Sequence, residues 1–235
     1  MTLREAWDSH AAEWIRWVRT PGHDSYDRFH RRAFLELIPA PGRLTVDLGG
    51  GEGRLDRDLI ELGHRVVMFD GSPALARACA SHDRPVPVGV ADAAAVPLRS
   101  GCADLVVAFM SLQDVDDLTA AVSEAARLLV RSGHFCMAIV HPLNSAGTFE
   151  GADDDPEAPF VIRGSYLTSF RFRDEIERDG LSMTFHSAHR PLETYSRGLE
   201  AAGFVMEALR EIPDPLPASR WQRVPLFLQV RARRS

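Results

Sequence analysis

From Leu44 onward the chain alternates short apolar runs with stretches whose apolar residues recur at helical intervals, the sequence form of strand-helix-strand units around a parallel sheet. Residues 44–48, LTVDL, read as a first strand, and Leu55, Leu59, Ile60 and Leu62 share one face of a helix over 53–62 that stops at Gly63. RVVMFD reads as a second strand, Pro73 opens a helix reaching about Ser81, and PVPVGVAD gives a weak third strand. ADLVVAF is a stronger fourth strand; Val115 to Val130 is helical, Arg131-Ser132-Gly133 turns, and HFCMAIV is a fifth strand. Between Pro142 and Pro191 the alternation lapses. There EGADDDPEAP is too polar and proline-rich for sheet core and predicts a mobile loop, and the runs YLTSFRFRDEIE and LSMTFH, joined by Arg178-Asp179-Gly180, predict a hairpin. A helix over 192–202 ends at Gly203, and FVMEALREI and VPLFLQVRARR supply two closing strands. The pattern as a whole predicts a doubly wound α/β fold. Ahead of it, Trp7, Trp14, Trp17 and Val18 lie at helical spacing, and a second helix begins at about Ser25; such aromatic spacing points first to packing.

Length and composition narrow the picture. At 235 residues the chain suits one domain, with 1–40 as an N-terminal helical cap and 141–190 as a lid or substrate-binding insertion. Apolar residues make up 45% and charged residues 26%, and no apolar window is long enough for a membrane span, so no membrane partner is expected. The N-terminus lacks the features of a secretory signal, which favours the cytoplasm. Cys79, Cys102 and Cys136 are widely spaced and read as free thiols. A formal charge of -6 argues against broad nucleic-acid binding and for a small molecule, with Arg231, Arg233 and Arg234 read as a frayed basic tail. Composition does not separate a monomer from a homodimer.

The stretch VDLGGGEGR follows the first strand, where open α/β sheets place their ligands. Counted from Gly49, the third glycine of a GxGxxG dinucleotide fingerprint falls on Arg54, and no lysine followed by Ser or Thr completes a phosphate loop. What remains is Asp47-x-Gly49-x-Gly51-x-Gly53, with Gly50 as a turn residue and Arg54 as a solvent-facing helix residue. Asp70 ends the second strand, where a carboxylate can accept two ribose hydroxyls. The DxGxGxG spacing resembles motif I of the class I S-adenosylmethionine (SAM) dependent methyltransferases. Asp92 in VADAAAVPLRSGCADLVV resembles that family's loop acid for the adenine amine. FMSLQDVDDL resembles its motif after strand four, with Gln113 where relatives often carry histidine, and LLVRSGHFCMAIVHP resembles its strand-five segment, with Arg131-Ser132 departing from the usual Pro-Gly.

The resemblance covers about Leu44 to Val140 and Leu192 to Arg233. It implies a Rossmann-like seven-stranded sheet, mostly parallel with an antiparallel last strand and helices on both faces. It further implies SAM as cofactor, S-adenosylhomocysteine (SAH) as product, and methyl transfer to an oxygen or nitrogen, or a carbon, of a small molecule. Expected cofactor contacts are Asp47, Gly49, Gly50, Gly51, Gly53, Asp70, Gly71, Ser72, Asp92, Ala93, Phe109, Met110 and, from the cap, Tyr26, with Arg31 as a further choice. Asp47 serves equally well by holding the glycine loop. Because the sulfonium methyl is already electrophilic, the protein has to align the acceptor and dispose of a proton. His141 after strand five, and His186 and His189 in FHSAHRPLETY, are the candidate bases. Gln113, Tyr166 and Tyr195 are candidate substrate contacts. Asp114, Asp116 and Asp117 face only Asn144 from the segment after strand five, which does not make a magnesium site, so no metal is expected; Asp153 to Asp155 read as solvated acids. A nicotinamide-dependent oxidoreductase and a non-catalytic SAM-binding module remain as alternatives, as does methyl transfer to RNA or protein.

Overall fold

A computed structural model describes residues 1–152 and 155–235. Asp153 and Asp154, the first two acids of the 153–155 run, lie outside the described residues. The strands are β1 (Thr45–Leu48), β2 (Val66–Asp70), β3 (Val88–Val90), β4 (Ala103–Phe109), β5 (Leu129–Val140), β6 (Thr148–Phe149), β7 (Phe160–Val161), β8 (Phe170–Arg178), β9 (Leu181–His189), β10 (Phe204–Ile212) and β11 (Phe227–Arg234). Seven of them form one sheet in the order β10-β11-β5-β4-β1-β2-β3. β11 runs antiparallel to both of its neighbours, whereas β5, β4, β1, β2 and β3 are parallel, as expected. Strand order reverses at β1 and β4, so their carboxyl ends open a crevice.

The helices are α1 (Leu3–Ser9), α2 (Ala11–Arg19), α3 (Arg31–Leu35), α4 (Arg54–Glu61), α5 (Pro73–Ala80), α6 (Leu118–Leu128), α7 (Pro142–Ala146) and α8 (Leu192–Ala201). Both sheet faces are covered because alternate residues of β4 point in opposite directions. Val106 and Ala108 join the core built with α6 and α8, through Ala121, Val122 and Leu199. Leu105, Val107 and Phe109 join the core on the other face, with Leu55 and Leu59 of α4, Cys79 of α5 and Phe34 of α3. No helix among the described residues is long and apolar enough to cross a membrane.

Three expectations are corrected. The helix expected over 115–130 occupies only Leu118–Leu128, because Asp117 caps it by accepting the Ala120 N–H at 2.9 Å. The turn at Arg131-Ser132-Gly133 is an irregularity inside β5, with Ser132 at φ 62°, and does not separate helix from strand. The interval after Pro142, expected as a loop, contains α7 and the antiparallel pair β6 and β7. The hairpin is present as β8 and β9, and Arg178 pairs with Leu181, leaving Asp179 and Gly180 as a two-residue turn at φ 51° and 75°.

That hairpin does not join the main sheet; it packs against the cap. Trp7 Nε1 donates to the His186 carbonyl at 3.0 Å, Arg178 donates to the Gly22 carbonyl at 2.8 Å, and Phe185 meets the rings of Trp7, Trp14 and Trp17 edge-on. The two N-terminal helices and the hairpin thereby form one wall above the crevice.

Candidate functional site

A cavity of about 890 Å³ lies between the sheet ends and that wall, running from the glycine loop after β1 to the face of the hairpin. Gly49, Gly50 and Gly51 line it; Gly53 does not. Two different pressures act on these glycines. Gly49 sits at φ 77°, and a Cβ there would lie 2.5 Å from Ser111 Cβ, so the chain's own segment after β4 demands the missing side chain. A Cβ on Gly50 would meet Met68 and Asp47, and one on Gly53 would meet Cys79 at 2.7 Å. Gly51, at φ 64°, has only Trp14 Nε1 near its Cβ position, at 3.5 Å, and leaves bare backbone facing the cavity.

Asp70 is fixed by that loop. It is buried and accepts from Gly51 N–H at 2.9 Å and Ser72 N–H at 2.8 Å, one to each oxygen, so each oxygen keeps a lone pair for a ligand hydroxyl. Burial pushes its carboxyl up to about 6. Gly71, Ser72, Ala93, Phe109 and Met110 also line the cavity, Met110 with a left-handed backbone at φ 54°. Asp92 lines it too, half-exposed and 3.5 Å from the Arg4 guanidinium of α1.

Asp47 is wholly buried beneath the loop, and neither of its oxygens, nor those of Asp56 on α4, has a hydrogen-bond partner among the described residues. Burial, and then the Asp56 carboxylate, holds Asp47 well above the carboxylate range; burial raises Asp56 to about 7. Both folded values exceed the unfolded reference of 3.8, so the folded state binds more protons than the unfolded one in between. Their contribution to stability is therefore fully present below about pH 4 and is lost as pH rises towards the folded values. Asp56→Asn supplies the uncharged form permanently and should raise the unfolding midpoint at pH 8 relative to the native protein, with little change at pH 5. Equal shifts at both pH values would show that the pair does not titrate in this range.

The cap closes this half of the cavity through polar clasps: Arg4 to Asp92, Asp8 to Ser72 Oγ, and Arg19 to Glu52 at 3.5 Å. Arg54, expected at the surface, is instead largely enclosed, its side chain 16% exposed. It pairs with Asp24, and its guanidinium lies 5.2 Å from the ring centres of Trp14 and Tyr26 and 5.8 Å from Phe109. Burial lowers it to about 9. Tyr26 and Arg31, expected as cofactor contacts, are both committed to Asp58: the tyrosine hydroxyl donates at 2.7 Å and the guanidinium at 2.6 and 3.1 Å. Neither lines the cavity; together they pin the cap to α4.

The far half of the cavity is aromatic. Hairpin register decides which residues enter it: Phe170, Phe172, Asp174, Ile176 and Arg178 of β8 and Phe185 and Ser187 of β9 share the inward face. His186 points to the opposite face, with its ring 5.0 Å from that of His10. His189 has inward parity but is fully buried behind the lining: its Nε2 donates to the Tyr166 carbonyl at 2.8 Å, which leaves Nδ1 to accept from Ser145 Oγ at 2.8 Å. Ser145 does line the cavity. His141 caps α7, its Nδ1 accepting from Leu143 N–H at 3.0 Å, and its Nε2 lies 3.1 Å from Glu211, away from the cavity. The structure thus brings none of the three histidines to the lining. Tyr195 packs in the core with Leu199, and the Tyr166 hydroxyl accepts from Leu192 N–H, so neither meets the cavity.

Gln113 does, and beside it stands the residue that the sequence analysis passed over as a site residue. Asp114 lines the cavity, accepts from Ser187 Oγ at 2.6 Å and from Gln113 Nε2 at 3.2 Å, and burial raises its carboxyl to about 8. Its place after β4 was the available signal. Whether such an acid is solvated or sealed under a hairpin more than 70 residues away is not written locally. Among the described residues no group of three or more His, Cys, Asp or Glu is arranged to hold a metal ion.

Residues 46–137 match the family model described as a methyltransferase domain. The ubiquinone/menaquinone biosynthesis C-methyltransferase UbiE of Acidiphilium cryptum is 34% identical over 116 residues; the match covers 46% of this chain and 47% of that protein, so the chain spans about half the length of this curated relative. Among solved structures, a SAM-dependent methyltransferase from Mesorhizobium loti superposes with a TM-score of 0.68 at 25% identity, covering 86% of this chain and 96% of that one. The glycopeptide N-methyltransferase MtfA, in complex with SAM, superposes with a TM-score of 0.61 at 16% identity over 92% of this chain and 99% of its own, a likeness of fold alone.

Proposed function

We propose that this chain, whose residues 46–137 match the methyltransferase-domain model, is a class I S-adenosylmethionine-dependent methyltransferase that transfers a methyl group from SAM to an oxygen or nitrogen, or a carbon, of a small molecule held in the aromatic half of the cavity. The observation that carries this reading is the continuity of one cavity from the bare Gly49–Gly51 backbone and Asp70 to Asp114 and the hairpin face. The residues present fit the cofactor. Asp70 has lone pairs free for both ribose hydroxyls, Gly51 offers backbone with no side chain in the way, and Asp92 stands at the adenine end beside Ala93.

Bound there, SAM supplies an electrophilic methyl group on a sulfonium sulfur. The chain's own residues do the rest. Trp14, Phe109 and the hairpin phenylalanines exclude water, the Gln113 amide and Asp114 carboxyl orient the acceptor, and Asp114 is placed to take a proton. The 1–40 segment acts in this reading as the cap over the cofactor and 141–190 as the acceptor wall.

Calorimetric titration with SAH and NADH tests the reading. Binding of SAH without NADH is expected; the reverse would replace the methyltransferase with an oxidoreductase. Tight SAH binding without turnover of amines, phenols or alcohols would instead favour a binding module.

A further inference from the structure

The acceptor half of the cavity holds hydrogen-bond acceptors that no residue satisfies. Gln113 is 5% exposed, and its Nε2 donates to the Met110 carbonyl at 2.6 Å and to Asp114. These two bonds fix the orientation of the amide, and its Oε1 is left buried without a donor. Next to it, Asp114 forms no ion pair among the described residues: the neighbouring Arg190 gives its donors to the carbonyls of Leu112, Gln113 and Val115. Asp174, across on the hairpin, also forms none among the described residues.

The cavity's cations, by contrast, are committed. Arg4 faces Asp92, Arg28 faces Asp214 at 2.8 Å, Arg54 faces Asp24, and Arg178 donates to the carbonyls of Gly22 and His23. The ligand that balances this surplus brings N–H donors and positive charge, and the rings of Trp17, Phe172 and Phe185 suit both an apolar body and a cation.

Resting on the methyltransferase reading, we propose that the methyl acceptor is an alkyl- or arylalkyl-amine, bound as its ammonium by Gln113 Oε1 and the Asp114 carboxylate with its apolar part against the hairpin and cap aromatics. Asp114 takes one ammonium proton. The freed nitrogen lone pair forms the N–C bond as the C–S electron pair returns to sulfur, giving neutral SAH and the methylated ammonium. Burial favours the protonated carboxyl in the empty site, and an ammonium beside it favours the carboxylate, so the same group binds the cation and then holds its proton.

The test pairs isosteric probes, 2-phenylethylamine with 2-phenylethanol, tryptamine with tryptophol, and hexylamine with hexanol, titrated calorimetrically against the whole chain with and without SAH. At least one amine should bind about tenfold or more tighter than its alcohol, the worth of a charged hydrogen bond. That preference should fall to within about threefold in Asp114→Asn and in Gln113→Met, with SAH affinity retained. Alcohols binding as tightly as amines throughout, or an amine preference that survives both substitutions, would overturn the proposal. Failure of SAH to bind while the amine preference stands would count against the methyltransferase reading and not against amine recognition.

Discussion

Asp70→Ala is expected to weaken SAH binding by about 1.5 to 3 kcal/mol, roughly 10- to 150-fold in Kd. Each Asp70 oxygen already accepts one backbone N–H, from Gly51 and Ser72, which aims the remaining lone pairs into the cavity. Truncation removes the two oxygens proposed to accept the ribose hydroxyls and releases the Gly51 and Ser72 N–H donors. The same site fixes a pH dependence. Burial sets this carboxyl at about 6, and only the ionised form accepts two hydroxyls at once, so SAH affinity should hold above pH 7 and fall as pH drops through about 6. Calorimetry with SAH at pH 5 and 8 measures both effects. An Asp70→Ala affinity within threefold of the native value, or a flat pH profile, would mean that the ribose lies elsewhere.

Gly49→Ala should cost about 2 to 5 kcal/mol of folding stability, a large share of what a domain has. Two terms add: about 1 to 2 kcal/mol for a Cβ in the left-handed region at φ 77°, and about 1 to 3 for the overlap with Ser111 Cβ at 2.5 Å. The terms can be separated. Ser111→Gly removes the colliding Cβ, so the double variant should recover the steric part and keep the backbone part, although Ser111→Gly alone loses the hydroxyl bond to the Leu48 carbonyl. Urea denaturation of the four proteins gives the coupling energy. Exact additivity would show that the loop moves aside and that Gly49 answers only to its backbone angle.

These two positions also mark what could be read in advance. Asp70 and the DxGxGxG run meet as the sequence implied because their positions are tied to short spacings: a strand of a few residues, a turn at its carboxyl end, and a second strand delivering an acid to the same edge. What the sequence does not disclose is a packing demand on the glycines, since Ser111 and Cys79 crowd Gly49 and Gly53 from distant segments. Arg54 shows the limit more sharply. On α4 it occupies a position that reads as surface, yet Asp24 and Trp14 from the cap enclose it. His141, His186 and His189 had suitable chemistry and suitable neighbours in sequence, but one caps a helix, one faces outward and one is sealed behind Ser145.

The sequence by itself determined the order of the strands and helices of the main sheet, the DG turn of the hairpin and the strand edge where the glycine loop and Asp70 meet, because periodicity, turn chemistry and strand-end placement are local properties of the chain. Only the tertiary structure decided which groups face the far half of the cavity. Exposure, pairing and protonation depend on what arrives from elsewhere: the hairpin's Ser187 places a donor on Asp114, burial there raises its carboxyl, and the commitment of every neighbouring arginine leaves Gln113 and Asp114 open to a ligand. Desolvation is a property of the assembled fold, and no residue carries it in its own position along the chain.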